Sequence, residues 1–229
     1  ITADKTFSID TTVYSEQFNN SRYVTYKAKD AIVDYFTEKY GKRPSVSVAN
    51  PDIYFNLHIS HTTCTLSLDS SGAPLFKRGY RVAQTEAPIN EVLAAGLLLL
   101  SGWKGQSDFM DPMCGSGTIA IEAAMIAMNM APGLFRKEFA FERWADFDRD
   151  MFDEIYNDDS REREFKHKIY ASDISAKAIA IANANIKSAG LTKYIETQVI
   201  DMAELPAQNK PFHIVFNPPY GERLNDFSI

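Results

Sequence analysis

The sequence is poor in cysteine. Its only two, Cys64 and Cys114, have no C-x-x-C spacing and cannot build a disulfide framework, so free thiols in a reducing compartment are expected. It also lacks a long apolar run. The longest, Val92 to Leu100 (VLAAGLLLL), is about half the ~18 residues a membrane span needs, which argues against a transmembrane helix. The first residues (ITADKTFSID) lack the basic head and apolar middle of a secretory signal, so the expected location is the cytoplasm. A surplus of positive charge is missing too: 24 Lys and Arg face 30 Asp and Glu, a net charge of −6 that argues against a protein coated for general nucleic-acid binding.

What is present is a 229-residue chain, 45% hydrophobic and 24% charged, enough for one large domain or two small ones. The charge is unevenly spread. Residues 1–110 carry 11 bases and 11 acids, whereas Glu138 to Glu164 alone carries 11 acids and 4 bases, leaving room for a basic face elsewhere. That acidic stretch is expected to be an inserted, partly helical excursion.

The first part reads as a small α+β unit. Arg22 to Lys27 (RYVTYK) is expected as a strand and Ala28 to Tyr40 as a helix. Ile53, Phe55, Leu57 and Ile59, then Cys64, Leu66 and Leu68, alternate as in a half-buried antiparallel hairpin, with Asp69-Ser70-Ser71-Gly72 supplying its turn. From Ala87 the pattern changes to helices alternating with short strands, the signature of an α/β domain with a parallel sheet. The expected division is 1–82 and 83–229. Strands are expected at Phe109 to Asp111, Lys168 to Asp173, Tyr194 to Asp201 and Phe212 to Phe216, with helices from Pro88 to Ser101, Thr118 to Met130 and Ser175 to Ala189. Four strands make a small doubly wound sheet whose last strand is thinly covered, so a C-terminally truncated chain is expected.

Three features carry chemistry. Asp111-Pro112-Met113-Cys114-Gly115-Ser116-Gly117-Thr118 links a strand to a helix, and Gly115 and Gly117 let the backbone approach a ligand under helix amides. It departs from the dinucleotide G-x-G-x-x-G pattern because position 120 is Ala. Asp111, Asp173 and Asp201 end three successive strands. Each alone suits an ordinary cap; together they suit the cationic end, ribose and adenine amine of S-adenosylmethionine (SAM). Asn217-Pro218-Pro219-Tyr220 follows the fourth strand. There the Asn217 amide and Pro218 carbonyl can accept hydrogen bonds from a planar exocyclic amine, and Tyr220 can stack on its ring.

These motifs, D-P-M-C-G-S-G-T-I with I-E-A-A, and N-P-P-Y-G-E-R-L, resemble those of the class I methyltransferase domain in THUMP-containing ribosomal RNA methyltransferases of the RlmL type. Lys77-Arg78-Gly79-Tyr80-Arg81, Ala87-Pro88-Ile89-Asn90-Glu91 and Leu99-Leu100-Ser101-Gly102-Trp103 resemble that family's joining segment. Arg43-Pro44-Ser45-Val46, Asn50-Pro51 and Leu66-Ser67-Leu68-Asp69 resemble the second half of its THUMP unit. The resemblance implies a Rossmann-like SAM-dependent methyltransferase sheet behind a partial THUMP domain. It implies cofactor contacts at Asp111, Gly115, Gly117, Asp173 and Asp201, and a target-base site at Asn217, Pro218, Pro219 and Tyr220. The implied reaction is methyl transfer to guanine N2 in 23S rRNA, naked or within an assembly intermediate. Rival readings are a tRNA guanine, DNA adenine or protein glutamine methyltransferase, or a non-catalytic RNA-binding module.

Lys77, Arg78 and Arg81 around Tyr80 either grip RNA phosphate or are ordinary solvated charge. His58, His61 and Cys64 have a spacing that suggests metal, but residues three apart on a strand point to opposite faces and no fourth ligand is evident. No metal is expected.

Overall fold

The computed structural model describes residues 2–206 and 211–219 and forms two compact units. The first is residues 1–74 with Glu138–Asp153, the second Leu75–Lys137 with Glu154 onward. The first unit thus closes eight residues before the boundary expected at 82, and it takes back most of the acidic stretch.

In the first unit, β1 (Phe7–Tyr14) runs parallel to β2 (Ile53–Ser60), which pairs antiparallel with β3 (Thr63–Leu68). Helix α1 (Ser21–Tyr40) crosses between β1 and β2. The expected hairpin is present in register, Leu57 opposite Leu66 and Ile59 opposite Cys64. Its connection, however, is His61-Thr62, with His61 at φ 52°, whereas Asp69 Oδ1 accepts from the amides of Ser71 and Gly72 and ends β3 instead.

Arg22 to Lys27 is helix, not strand. Asn20 caps α1 through Oδ1, accepting from the Tyr23 amide at 3.0 Å. Val24 then lies four residues before Ala28 on the face that packs with Leu57 and Ile59. The parallel strand position is filled by Phe7–Tyr14, in which Phe7, Ile9 and Val13 point into the core. Within the acidic stretch, a 3₁₀ turn at Ala140–Arg143 adds to this unit: Ala140 and Phe141 amides donate to Ser71 and Ser70 carbonyls, and Trp144 packs on the cluster of Phe7, Val33 and Ile53.

In the second unit, α2 (Glu91–Leu100), β4 (Asp108–Asp111), α3 (Thr118–Met128), α4 (Arg149–Tyr156, which begins in the first unit), β5 (Ile169–Asp173), α5 (Ala176–Ser188), β6 (Ile195–Val199) and β7 (Phe212–Ile214) follow in order. The four strands pair in parallel in the order β6-β5-β4-β7. Helix α3 is buried almost all round, as its near-continuous apolar sequence requires, and α2 packs on it. Asn90, rather than Pro88, starts α2: its side chain accepts from the Val92 and Leu93 amides.

The chain moves outward from β4 through β5 to β6 and then returns to the other side of β4. The strand order therefore reverses at β4, and the loops leaving the carboxyl ends of β4 and β7 diverge from that point. In open α/β sheets this crevice is where ligands bind.

Candidate functional site at the sheet switch point

The loop after β4 turns sharply into α3. The Cys114 amide donates to Ser172 O at 2.9 Å, and the Gly117 amide to Cys114 O at 2.8 Å. Gly117 has φ 78°, and a Cβ there would stand 3.1 Å from the Ala182 methyl on α5. Only glycine satisfies both the left-handed backbone and the close helix approach. The amides of Cys114, Gly115 and Gly117 are thus spent on the shape of the loop, and what its glycines offer a ligand is close approach to bare backbone.

Asp173, at the end of β5, is half-buried. Its Oδ2 accepts from the Gly115 amide at 3.0 Å and its Oδ1 from the Ser175 amide at 2.9 Å. The carboxylate thus supports the glycine loop, and each oxygen keeps a second lone pair for a hydroxyl. Asp201 lies two residues past β6, where Oδ1 accepts from the Ala203 amide and caps a 3₁₀ turn at Met202–Glu204.

Asp111 is placed differently from the other two acids: it is 0% exposed. Its Oδ1 accepts weakly from the Met113 amide at 3.3 Å, and its Oδ2 has no partner among the described residues. It is closed off from the surface rather than presented at it. Burial pushes its carboxyl up to about 7; the Met113 amide opposes the shift and the Asp173 charge adds to it. Burial likewise pushes the Cys114 thiol up, so Cys114 packs the loop and is not a nucleophile at neutral pH.

The raised acid has a consequence for stability. The native state holds the Asp111 proton more tightly than the unfolded chain, whose carboxyl has the ordinary value of 3.8, so stability falls as pH rises from about 4 to about 7. Asp111→Asn is expected to remove that fall. In urea unfolding the variant should exceed the parent by roughly 4 kcal/mol at pH 8, with the difference vanishing toward pH 4. A constant difference across that range would show that the carboxyl is not strained.

On the other side of the switch point, Met110 pairs with Ile214, and the Val215 amide donates to Met110 O at 3.2 Å. Asn217, Pro218 and Pro219 therefore leave the sheet at the same edge as Asp111. Asn217 is half-buried and the two prolines are exposed. Tyr220 lies outside the described residues.

The joining segment departs from the phosphate-grip reading. Arg81 turns inward, its Nε donating to Glu91 Oε1 at 2.9 Å and its Nη2 to Ile89 O and Thr118 Oγ1, both at 3.0 Å. Arg78 pairs with the buried Glu122 at 3.4 Å, and the Tyr80 hydroxyl donates to the same carboxylate at 3.0 Å. Two buried acids on α2 and α3 need compensating charge, which explains why these arginines are withdrawn from solvent. Lys77 alone of the three is exposed.

Sequence reasoning passed over Ser116, Thr85, Ser172 and Asn185. Asn185 carried a legible signal: it lies three residues after Ala182 and one before Ile186, on the inward face of α5, where a polar side chain must find partners.

A parallel sheet with a glycine loop and carboxylates at its switch point defines a nucleotide-binding α/β class. The chain belongs to the family described as RMKL-like, methyltransferase domain, which matches residues 78–228, and a THUMP domain matches residues 1–69. It is 41% identical over 233 residues to the ribosomal RNA large subunit methyltransferase K/L of Psychromonas ingrahamii, covering 98% of this chain and 31% of that protein. The chain thus spans about a third of this curated relative. Among solved structures it resembles a predicted N6-adenine-specific DNA methylase from Listeria monocytogenes (TM-score 0.83, 36% identity, 98% of this chain and 59% of that one). It also resembles SMU.472, described as a putative methyltransferase complexed with SAH (TM-score 0.80, 32% identity, 97% of this chain and 60% of that one). The sequence led to the expectation of a truncated α/β methyltransferase sheet behind a partial THUMP domain; the α/β methyltransferase fold and a THUMP domain at residues 1–69 are found.

Proposed function

We propose that the chain is the cofactor-binding and target-binding part of a SAM-dependent RNA methyltransferase that modifies the exocyclic N2 amine of a guanine in 23S rRNA. One observation carries the reading: the glycine loop leaves β4 and the Asn-Pro-Pro turn leaves the neighbouring β7 at the same sheet edge, the two strand ends joined by the Val215–Met110 hydrogen bond. A donor bound at one loop and an amine bound at the other meet at that edge.

Gly115 and Gly117 would lie against SAM, Asp173 would take its ribose and Asp201 its adenine amine, and the cofactor would supply an electrophilic methyl group when bound. The unpartnered Oδ2 of Asp111 and the glycine loop fit such a cationic ligand, the acid acting through its field from its buried position. Asn217 and the Pro218 carbonyl accept from the amine, Pro219 stiffens the turn that presents them, and Tyr220 stacks on the flipped base. The first unit guides the RNA, and Lys77 contributes a phosphate contact. Arg78 and Arg81, having carboxylate partners, serve the fold. The reaction belongs in the cytoplasm, and no helix among the described residues is long and apolar enough to cross a membrane.

The same acceptors suit adenine N6, the chemistry in the name of the Listeria structure. The test is incubation of the protein carrying this chain with isotopically labelled SAM and either 23S rRNA or duplex DNA, followed by nucleoside analysis. N2-methylguanosine in the RNA is expected. N6-methyladenine in the DNA, or no transfer with bound cofactor, overturns the assignment.

A further inference from the structure

Residues 82–85, near the start of the matched methyltransferase region, are tied to the glycine loop by a compact polar network that no part of the proposed chemistry uses. Asn185 is 1% exposed and makes four hydrogen bonds, all to backbone atoms. Its Oδ1 accepts from the amides of Val82 at 2.9 Å and Ala83 at 3.1 Å. Its Nδ2 donates to Ala83 O and to Ser116 O, both at 2.9 Å. A second tie lies two residues on. The Thr85 amide donates to Ser116 Oγ at 2.9 Å, and the two hydroxyls share a further bond at 3.0 Å.

The effect is to lay residues 82–85 along the glycine loop. A Cβ on Gly115 would face Thr85 Oγ1 at 3.8 Å, while the Gly115 amide points to Asp173. Gly115 therefore stands between Thr85 and the proposed ribose acid. From below, α5 supports the same loop twice, through Ala182 against Gly117 and through Asn185 on Ser116 O.

An asparagine on the apolar face of a helix is costly unless every polar atom is satisfied. Here all of them are, and they are spent on the backbone of two segments 102 and 69 residues away in sequence. A residue needed only to fill the core would be apolar. We infer that Asn185, Ser116 and Thr85 are positioning residues for the cofactor site: they hold the strap Val82–Thr85 as one wall of the pocket and thereby set the shape of the glycine loop. The inference rests on the reading of that loop as the cofactor cradle.

The test is calorimetric titration of S-adenosylhomocysteine into the protein and its variants, with thermal melting recorded in parallel. Thr85→Val, which keeps the shape and loses the hydroxyl, is expected to weaken binding about five- to tenfold with an unchanged melt, and Thr85→Ser to restore it. Asn185→Ala is expected to weaken binding more than tenfold. Because both substitutions release the same strap, the loss in the double variant should fall well short of the product of the single losses. Ile186→Val, a core change on the same helix, lowers the melt and leaves affinity unchanged. Affinities within twofold of the parent for Thr85→Val and for a folded Asn185→Ala would overturn the inference and leave the strap a structural seam. Failure of the unsubstituted protein to bind S-adenosylhomocysteine would overturn the cofactor reading and this one with it.

Discussion

Asn217→Ala is expected to lower methyl transfer to 23S rRNA by roughly 10³-fold, to the limit of detection, while cofactor affinity stays within about twofold. The physical ground is orientation. An exocyclic guanine amine is a weak nucleophile because its lone pair is delocalised into the ring, and it attacks only when its nitrogen is held toward the methyl group. Two acceptors on one rigid turn achieve this, and the turn is rigid because two prolines follow Asn217. Removing one acceptor leaves the amine to rotate, and loss of a near-attack geometry is worth on the order of 10²-fold or more. Asn217→Asp keeps an acceptor oxygen and should retain part of the rate. The measurement is single-turnover transfer of labelled methyl at saturating cofactor. Full turnover by Asn217→Ala would remove the residue from the site and with it the reading of the Asn-Pro-Pro turn.

Asp173→Ala is expected to weaken cofactor binding by roughly 10²-fold or more, read by calorimetry against micromolar-range binding by the parent. Two effects add. The ribose hydroxyls lose a charged acceptor, each such bond contributing about 1.5–3 kcal/mol, and the Gly115 amide loses the partner that shapes the loop. Asp173→Asn preserves one acceptor oxygen and should fall between the two. Unaltered affinity in Asp173→Ala, in a protein that melts like the parent, would place the nucleotide elsewhere.

Asp111 and Asp173 looked alike in the sequence, each an acid closing a strand, yet they occupy opposite situations. Asp173 is half-buried with both oxygens engaged; Asp111 is fully buried, and one of its oxygens has no partner among the described residues. Strand alternation is the same for both, so the difference comes from what covers the strand ends, which local sequence does not encode. The arginines of the joining segment teach the same lesson. Lys77, Arg78 and Arg81 form one basic cluster along the chain, but Glu122 and Glu91 lie 44 and 10 residues away from their arginine partners, and only folding shows that two of the three cations are already paired. Of the three, only Lys77 keeps an exposed side chain for the phosphate contact proposed above.

The strand misread at Arg22 to Lys27 has a comparable cause. Four β-prone residues in a row, Tyr23 to Tyr26, outweigh helix propensity when read alone, whereas Asn20, the buried Val24 and the half-buried Ala28 make the same residues the first turns of a helix. The true strand, Phe7–Tyr14, carries polar residues at Ser8, Asp10 and Thr12 because one face of it is open to solvent.

What the sequence determined by itself was whatever depends on local chemistry: the strand periods of the second unit, the caps and glycines of the loop, the Asn-Pro-Pro turn, and through these motifs the family. Such features are written in neighbouring residues, because backbone conformation is set by the side chains closest to it. The tertiary structure alone decided which polar groups are spent. It turned Arg78 and Arg81 inward, buried Asp111, returned Glu138–Asp153 of the acidic stretch to the first unit, and tied residues 82–85 to the glycine loop through Asn185. Those outcomes follow from the need of every buried charge and polar group for a partner, and the partners stand tens of residues away along the chain.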